Sequence, residues 1–251
     1  MVEKKEEVLK HIRCRKGDIA PYVIIPGDPG RVKRIVAMMD DAQLLAQNRE
    51  YIVYTGTYKK VQITVCSSGI GGPAASIAFE ELIKLGAKVF IRVGSAGGRQ
   101  KDTPVGTPIV IQAAYRGEGT SKAYLPPEFP AVADLDVTNA LVKALKDDAI
   151  EYQVGLGFTR DAYYVQDKEL NSLLTDCGIK AAEQEAAVLF IVGSVRGVKT
   201  GAVVSTDSNI WLDKQPTLAE KEELFFKGER LAIKAALDAV VLLNHDGAHK
   251  Y

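Results

Sequence analysis

Residues 22–31, YVIIPGDPGR, set a short apolar run against a proline- and glycine-rich turn, and helical period follows. Tyr22–Ile25 reads as a strand. A helix starting near Arg31 carries Val32, Ile35 and Val36 on one face. The same alternation recurs downstream. Tyr51–Tyr58 and Val61–Cys66 read as a hairpin about Lys59-Lys60. Pro73–Leu85 reads as a helix ended by Gly86, and Val89–Val93 as a buried strand before the loop Gly94-Ser95-Ala96-Gly97-Gly98. Thr107–Ala113, Tyr152–Phe158 and Lys199–Ser205 are further strand candidates; Asn139–Lys146, Gln184–Val195 and Thr217–Leu243 are helical. Residues 116–130 are loop-rich, and the polar tail from Asn244 to Tyr251 is expected to fray. No repeat or linker interrupts the pattern. It predicts one α/β domain over residues 1–251, a central mixed β-sheet flanked by helices in three layers.

Composition narrows the function. The chain is 47% hydrophobic and 25% charged, as an ordinary globular protein is. Lys+Arg and Asp+Glu both count 32, so the formal net charge is zero. Such a chain has no global attraction for nucleic acid or an anionic membrane, and neither is an expected partner. The N-terminal stretch MVEKKEEVLKHIRCRKGD is charged throughout and lacks a signal-type apolar core. No stretch approaches the roughly 18 apolar residues of a membrane span, and a cytoplasmic location is expected. Cys14, Cys66 and Cys177 are far apart and form no CxxC pair, so neither disulfide framework, zinc site nor other metal is expected.

Binding chemistry must then sit in loops at strand ends. Gly69-Ile70-Gly71-Gly72-Pro73-Ala74 fits a loose dinucleotide pattern, but the next strand ends in Arg92 where that fold needs a ribose-binding acid. Tight turning or close backbone approach explains these glycines better. Gly27 and Arg31 stand at a turn opening a helix, where a backbone amide, the helix dipole and a cation would converge on an anion. A plain capped turn would look the same. Arg92 tips the balance: within a buried strand a lone arginine must pair or bind something. Ser95 adds a hydroxyl three residues later. Together these make a phosphate cradle.

PGDPGR, SSGIGGPAASIAFEEL, FIRVGSAG and EFPAVADLDVTNALV, in this order and spacing, resemble the nucleoside phosphorylase family from about His11 to about Leu243. Residues 48–57 with GTSKAY and EFPAVAD are most similar to its uridine phosphorylase branch. The resemblance implies phosphorolysis of a nucleoside, with uridine and phosphate giving uracil and ribose 1-phosphate as the lead. It implies no cofactor, inorganic phosphate being the co-substrate. Gly27, Arg31, Arg92 and Ser95 would bind phosphate, with Arg49 contributed by a neighbouring subunit. His11 would reach across the same interface to the ribose 5′-hydroxyl. Alone, Arg49 reads as a surface ion pair and His11 as a solvated terminal residue. The resemblance further implies a homodimer as the minimal unit, usually assembled as a hexamer.

Glu183-Gln184-Glu185 would open a helix, where acids also favour the dipole. The resemblance makes Glu185 the acceptor for the ribose 2′- and 3′-hydroxyls, flanked in the nucleoside site by Glu183, Gln184 and Gly97. Gln184 replaces the family's usual methionine. Tyr163 would line the nucleoside, or simply pack in the core. Gln166 would read the uracil edge, and Lys168 stands where an arginine is usual. Asp207 resembles the aspartate that protonates the departing base in the purine-cleaving branch, or else caps a helix or turn. A purine or broad-specificity phosphorylase using Asp207 is therefore the alternative. A nucleosidase would not need three arginines converging on an anion, and a non-catalytic sugar-phosphate-binding module would not explain Glu185.

Overall fold

The computed structural model describes residues 7–250; the first six residues of the charged N-terminal stretch and Tyr251 lie outside the described residues. Strand β1 (Tyr22–Pro26) runs into helix α1 (Pro29–Val36). The helix starts earlier than expected because Asp28 caps it, accepting from the Gly30 amide, while Pro29 needs no N–H in the first turn. Then follow β2 (Asp40–Asn48), β3 (Tyr51–Tyr58), β4 (Val61–Cys66), α2 (Gly72–Lys84), β5 (Val89–Gly98) and β6 (Pro108–Gly117). Next come α3 (Thr120–Tyr124), β7 (Ala131–Val132), α4 (Leu135–Asp147), β8 (Gln153–Arg160) and α5 (Lys168–Asp176). The chain closes with β9 (Ile179–Glu183), α6 (Ala186–Arg196), β10 (Lys199–Asn209) and α7 (Leu218–His245).

One mixed sheet holds these strands in the order β10-β6-β8-β9-β5-β1-β4-β3-β2, with β7 beside β6. An additional β10–β5 pairing closes β5, β10, β6, β8 and β9 into a ring. Helices cover both faces. Phe79 and Leu82 of α2 and the buried run Ala186–Val192 of α6 pack in one core. Val32 and Ile35 of α1, Leu141 of α4 and Leu237 and Val240 of α7 pack in the other. The first eight residues of α6, Ala186 to Gly193, are apolar and buried, as expected of a helix segment enclosed on every side.

Several elements differ from the expectation, each for a physical reason. β5 continues through Gly94–Gly98, expected as loop, because β10 pairs with it from Lys199↔Val89 to Asn209↔Gly98. β2, with sequence DDAQLLAQN, is a largely exposed edge strand with no apolar alternation to announce it. α6 begins at Ala186 rather than Gln184, because Glu183 is still the last residue of β9. Within the stretch expected to fray, α7 continues to His245, Ala248 is buried, and the Tyr22 hydroxyl lies 2.8 Å from His249 Nδ1. Among the described residues no helix is long and apolar enough to cross a membrane.

Candidate active site

A cleft of about 810 Å³ opens where the loops after β1 and β8 meet the last residues of β5, β9 and β10. Gly27, Arg31, Arg92, Ser95, Gly97, Tyr163, Glu183, Gln184, Glu185 and Asp207 all line it.

Arg92 is its hub. Fully buried in β5, it donates from Nε to Glu183 Oε2 at 3.1 Å, and its Nη2 lies 2.6 Å from Glu185 Oε2. Burial works against the cation, but the charges of Glu185 and Glu183 outweigh it and shift the Arg92 pKa upward. Nη1 lies 3.9 Å from where a Cβ on Gly27 would stand, so it faces the glycine turn. That turn is itself tight. A Gly27 Cβ would come within 3.1 Å of the Gly69 carbonyl oxygen.

The two acids differ in role. Glu183 Oε2 also accepts from the Glu185 and Ala186 amides, each at 2.8 Å, and Oε1 accepts from the Thr159 hydroxyl at 2.5 Å. With both oxygens engaged, Glu183 anchors the N-terminus of α6 and supplies a counter-charge to Arg92, while it also lines the cleft. Glu185 accepts from the Gly71 amide at 2.5 Å through Oε1, leaving Oε2 to Arg92 and the cleft. Burial pushes the Glu185 carboxyl up, Arg92 opposes this, and Glu183 adds to the rise. Gly71, at φ +85°, holds the acid by its backbone; the glycine run that mimicked a dinucleotide motif is part of this site.

Arg31 is more constrained than the sequence suggests. Its Nε donates to Glu229 Oε2 at 2.5 Å and its Nη1 to the Val93 carbonyl at 3.2 Å. Arg34 Nε donates to the same carboxylate. Glu229, buried in α7, was missed; lying 198 residues from Arg31, it left no local signal. Asp207 is in neither a helix cap nor a turn. It lies in β10 at a register irregularity between Thr206 and Ser208, lines the cleft and accepts from the Ser208 hydroxyl at 2.6 Å.

Four expected residues stay outside the cleft. Gln166 donates to the Tyr163 carbonyl at 3.0 Å and accepts from Asn171 Nδ2 at 3.1 Å, so its amide ties its own loop to α5. Lys168 is exposed at the start of α5, after the Asp167 cap. Arg49 is exposed at the β2–β3 turn with φ +54°, beside Glu50, which does line the cleft. His11 lies against Glu81, Nδ1 to Oε1 2.6 Å, and its carbonyl accepts from Asn48 Nδ2 at 2.7 Å. His11 is thereby tied to Asn48, the chain neighbour of Arg49. Conversely, Arg160, Tyr164, Ile70 and Ser208 line the cleft without having been singled out. Among the described residues no cluster of His, Cys, Asp and Glu could hold a metal ion.

Uridine phosphorylase of Thermococcus kodakarensis is 38% identical over 94% of this chain and 90% of its own length. Guanosine phosphorylase of Halorubrum lacusprofundi is 39% identical over 93% and 98%. The solved uridine phosphorylase of Vibrio fischeri ES114 superposes with a TM-score of 0.87 at 37% identity, covering 92% of this chain and 96% of that one. The family model described as "Phosphorylase superfamily" matches residues 21–241, the stretch that builds every wall of the cleft, and the chain belongs to that superfamily.

Proposed function

We propose that this chain is a nucleoside phosphorylase that cleaves a nucleoside with inorganic phosphate, uridine being the lead substrate. One observation carries the reading: Arg92, facing the Gly27 turn, is joined at 2.6 Å to Glu185, so an anion site and a hydroxyl-accepting acid share one cleft.

Phosphate is held by Gly27, Arg31, Arg92 and Ser95. The ribose 2′- and 3′-hydroxyls donate to Glu185, whose charge stabilises the oxocarbenium-like sugar as the glycosidic bond loosens. A phosphate oxygen attacks C1′, the C1′–N bond breaks, and the base departs with the bonding pair. Gly97 and Tyr163 flank the nucleoside, with Gln184 beside the sugar. No cofactor enters this reaction. Arg49 and His11 complete the site from a second copy of the chain, in a homodimer that assembles further to a hexamer; the His11–Asn48 hydrogen bond, which sets His11 near Arg49 and the cleft-lining Glu50, supports the pairing of these two residues. The cytoplasm is the compartment that goes with this activity.

Asp207 in the cleft favours a second reading, in which purine nucleosides are also cleaved and Asp207 protonates the leaving base. The relatives named for uridine and for guanosine, at 38% and 39% identity, leave both open. Product release from uridine and from inosine, with and without phosphate, tests the proposal. Phosphate-dependent release of free base is expected. Cleavage of neither nucleoside sinks the enzyme, and equal cleavage without phosphate sinks phosphorolysis.

A further inference from the structure

Arg160 ends β8 and lines the cleft. The cleft's other arginines, Arg31 and Arg92, each hold a carboxylate. Among the described residues no side-chain hydrogen bond or ion pair engages the Arg160 guanidinium, whose Cζ stands 5.6 Å from the Tyr163 ring centroid. Arg99 nearby adds a second cation without a carboxylate. It is buried, donates to Asn171 Oδ1 at 2.6 Å and lies 5.8 Å from the Phe158 ring. Its pKa is depressed, by burial first and by the charge of Arg160 second. This end of the cleft therefore has spare N–H donors and uncompensated positive charge, and it favours an electron-rich acceptor.

Sheet order places that acceptor. β9 and β5 separate β8 from β1, so the strand that ends in Arg160 lies three strand spacings, about 14 Å across the sheet, from the strand that runs into the Gly27 turn. With phosphate at Gly27 and ribose at Glu185 between them, the part of the substrate that reaches Arg160 is the base. Thr159, the preceding residue, bonds Glu183, which ties this strand end to the acids.

We propose that Arg160 reads the base, and that the preferred substrates are nucleosides whose base presents a carbonyl oxygen there, uracil or a 6-oxopurine, over their amino counterparts. This rests on the phosphorolysis reading above. As the C1′–N bond breaks and the phosphate C1′–O bond forms, the bonding pair passes to the base and spreads onto its carbonyl oxygen. The guanidinium donates to that oxygen, and a proton from water or from the Asp207 carboxyl completes the free base. An amino group in the same place sets N–H against N–H, leaving the arginine unmatched. The planar fork matters as well as the charge, so lysine is a poor substitute.

The test compares wild type, Arg160→Ala and Arg160→Lys on uridine against cytidine and inosine against adenosine, with kcat and KM for nucleoside and for phosphate. Wild type is expected to favour each oxo nucleoside, and Arg160→Ala to lower kcat/KM on it by about tenfold or more while amino nucleosides change less than about threefold. The phosphate KM stays unchanged, which also reports an intact fold, and Arg160→Lys recovers only part of the loss. Equal losses on oxo and amino substrates, or no loss, overturn the role of Arg160 and leave phosphorolysis standing. If wild type cleaves none of the four nucleosides in a phosphate-dependent way, phosphorolysis itself fails.

Discussion

Arg92 Nη2 lies 2.6 Å from Glu185 Oε2, so the group assigned to phosphate and the group assigned to ribose are members of one buried ion pair. Neither can be removed without exposing the other. Arg92→Ala leaves Glu183 and Glu185 without their counter-charge and is expected to lower kcat/KM by about 10²–10³-fold. The phosphate KM should rise, and the melting temperature should fall, because breaking a buried pair strands a charge. A phosphate titration with unchanged KM and turnover would refute the assignment.

Gly94 is held to glycine by the same arginine. A Cβ there would stand 2.7 Å from Arg92 Nη2 and 2.9 Å from Cζ, with Val204 Cγ1 at 3.0 Å behind. The guanidinium is pinned by two acids and cannot retreat freely. Gly94→Ala is expected to raise the phosphate KM and to lower kcat/KM by about tenfold or more, since ångström-scale displacement of a positioned group is costly. Circular dichroism should show the fold retained. Wild-type kinetics in this variant would mean that Arg92 relaxes without consequence.

Asp207 lies at the β10 irregularity, where its side chain accepts from the Ser208 hydroxyl. If it donates the proton to a departing purine, Asp207→Asn slows inosine cleavage by about 10²-fold or more. Uridine cleavage, whose leaving base carries the charge on its carbonyl oxygens, is expected to change by less than about threefold. Equal slowing of both nucleosides would reduce Asp207 to a local support.

Glu81 of α2 gathers the His11 and Ile12 amides, at 3.0 and 2.9 Å, together with the His11 ring at 2.6 Å. Burial opposes ionisation, but these hydrogen bonds outweigh it and hold the carboxyl below its ordinary 4.5. A depressed carboxylate contributes stability that is present above 4.5 and lost as pH falls through the folded value. Glu81→Gln is expected to cost about 1–3 kcal/mol at neutral pH. Urea midpoints of the two proteins should converge as the pH falls below 4.5 and through the depressed folded value of the carboxyl. A gap that persists in acid would assign the loss to packing instead.

Short-range signals made most of the architecture legible. The strand Tyr22–Pro26, the hairpin about Lys59-Lys60, the helix closed by Gly86 and the long α7 are all written in apolar period and turn residues. β2 was not legible because its exposed edge needs no alternation, and α5 because its buried side amounts to Asn171 and Leu174. In the site, Arg92 could be singled out because a cation inside a buried strand is conspicuous. Arg160 could not, because an arginine at the end of a strand looks like any solvated terminus.

By itself the sequence determined which residue types stand at which turns: Gly27 before a helix, Arg92 within a strand, Glu185 ahead of an apolar run. Hydrophobic period and turn chemistry act over a few residues, so they can be read along the chain. Tertiary structure alone decided the partners. Arg92 meets Glu183 across 91 residues because β9 lies antiparallel beside β5, and Arg31 meets Glu229 across 198 because α7 packs over that face. Those pairings join separate cations to fixed carboxylates, leave Arg160 without a carboxylate among the described residues, and commit Gln166 and Lys168 to a loop and a helix start outside the cleft. Side-chain pairing depends on strand order and helix packing, and neither is a property of any stretch of sequence taken alone.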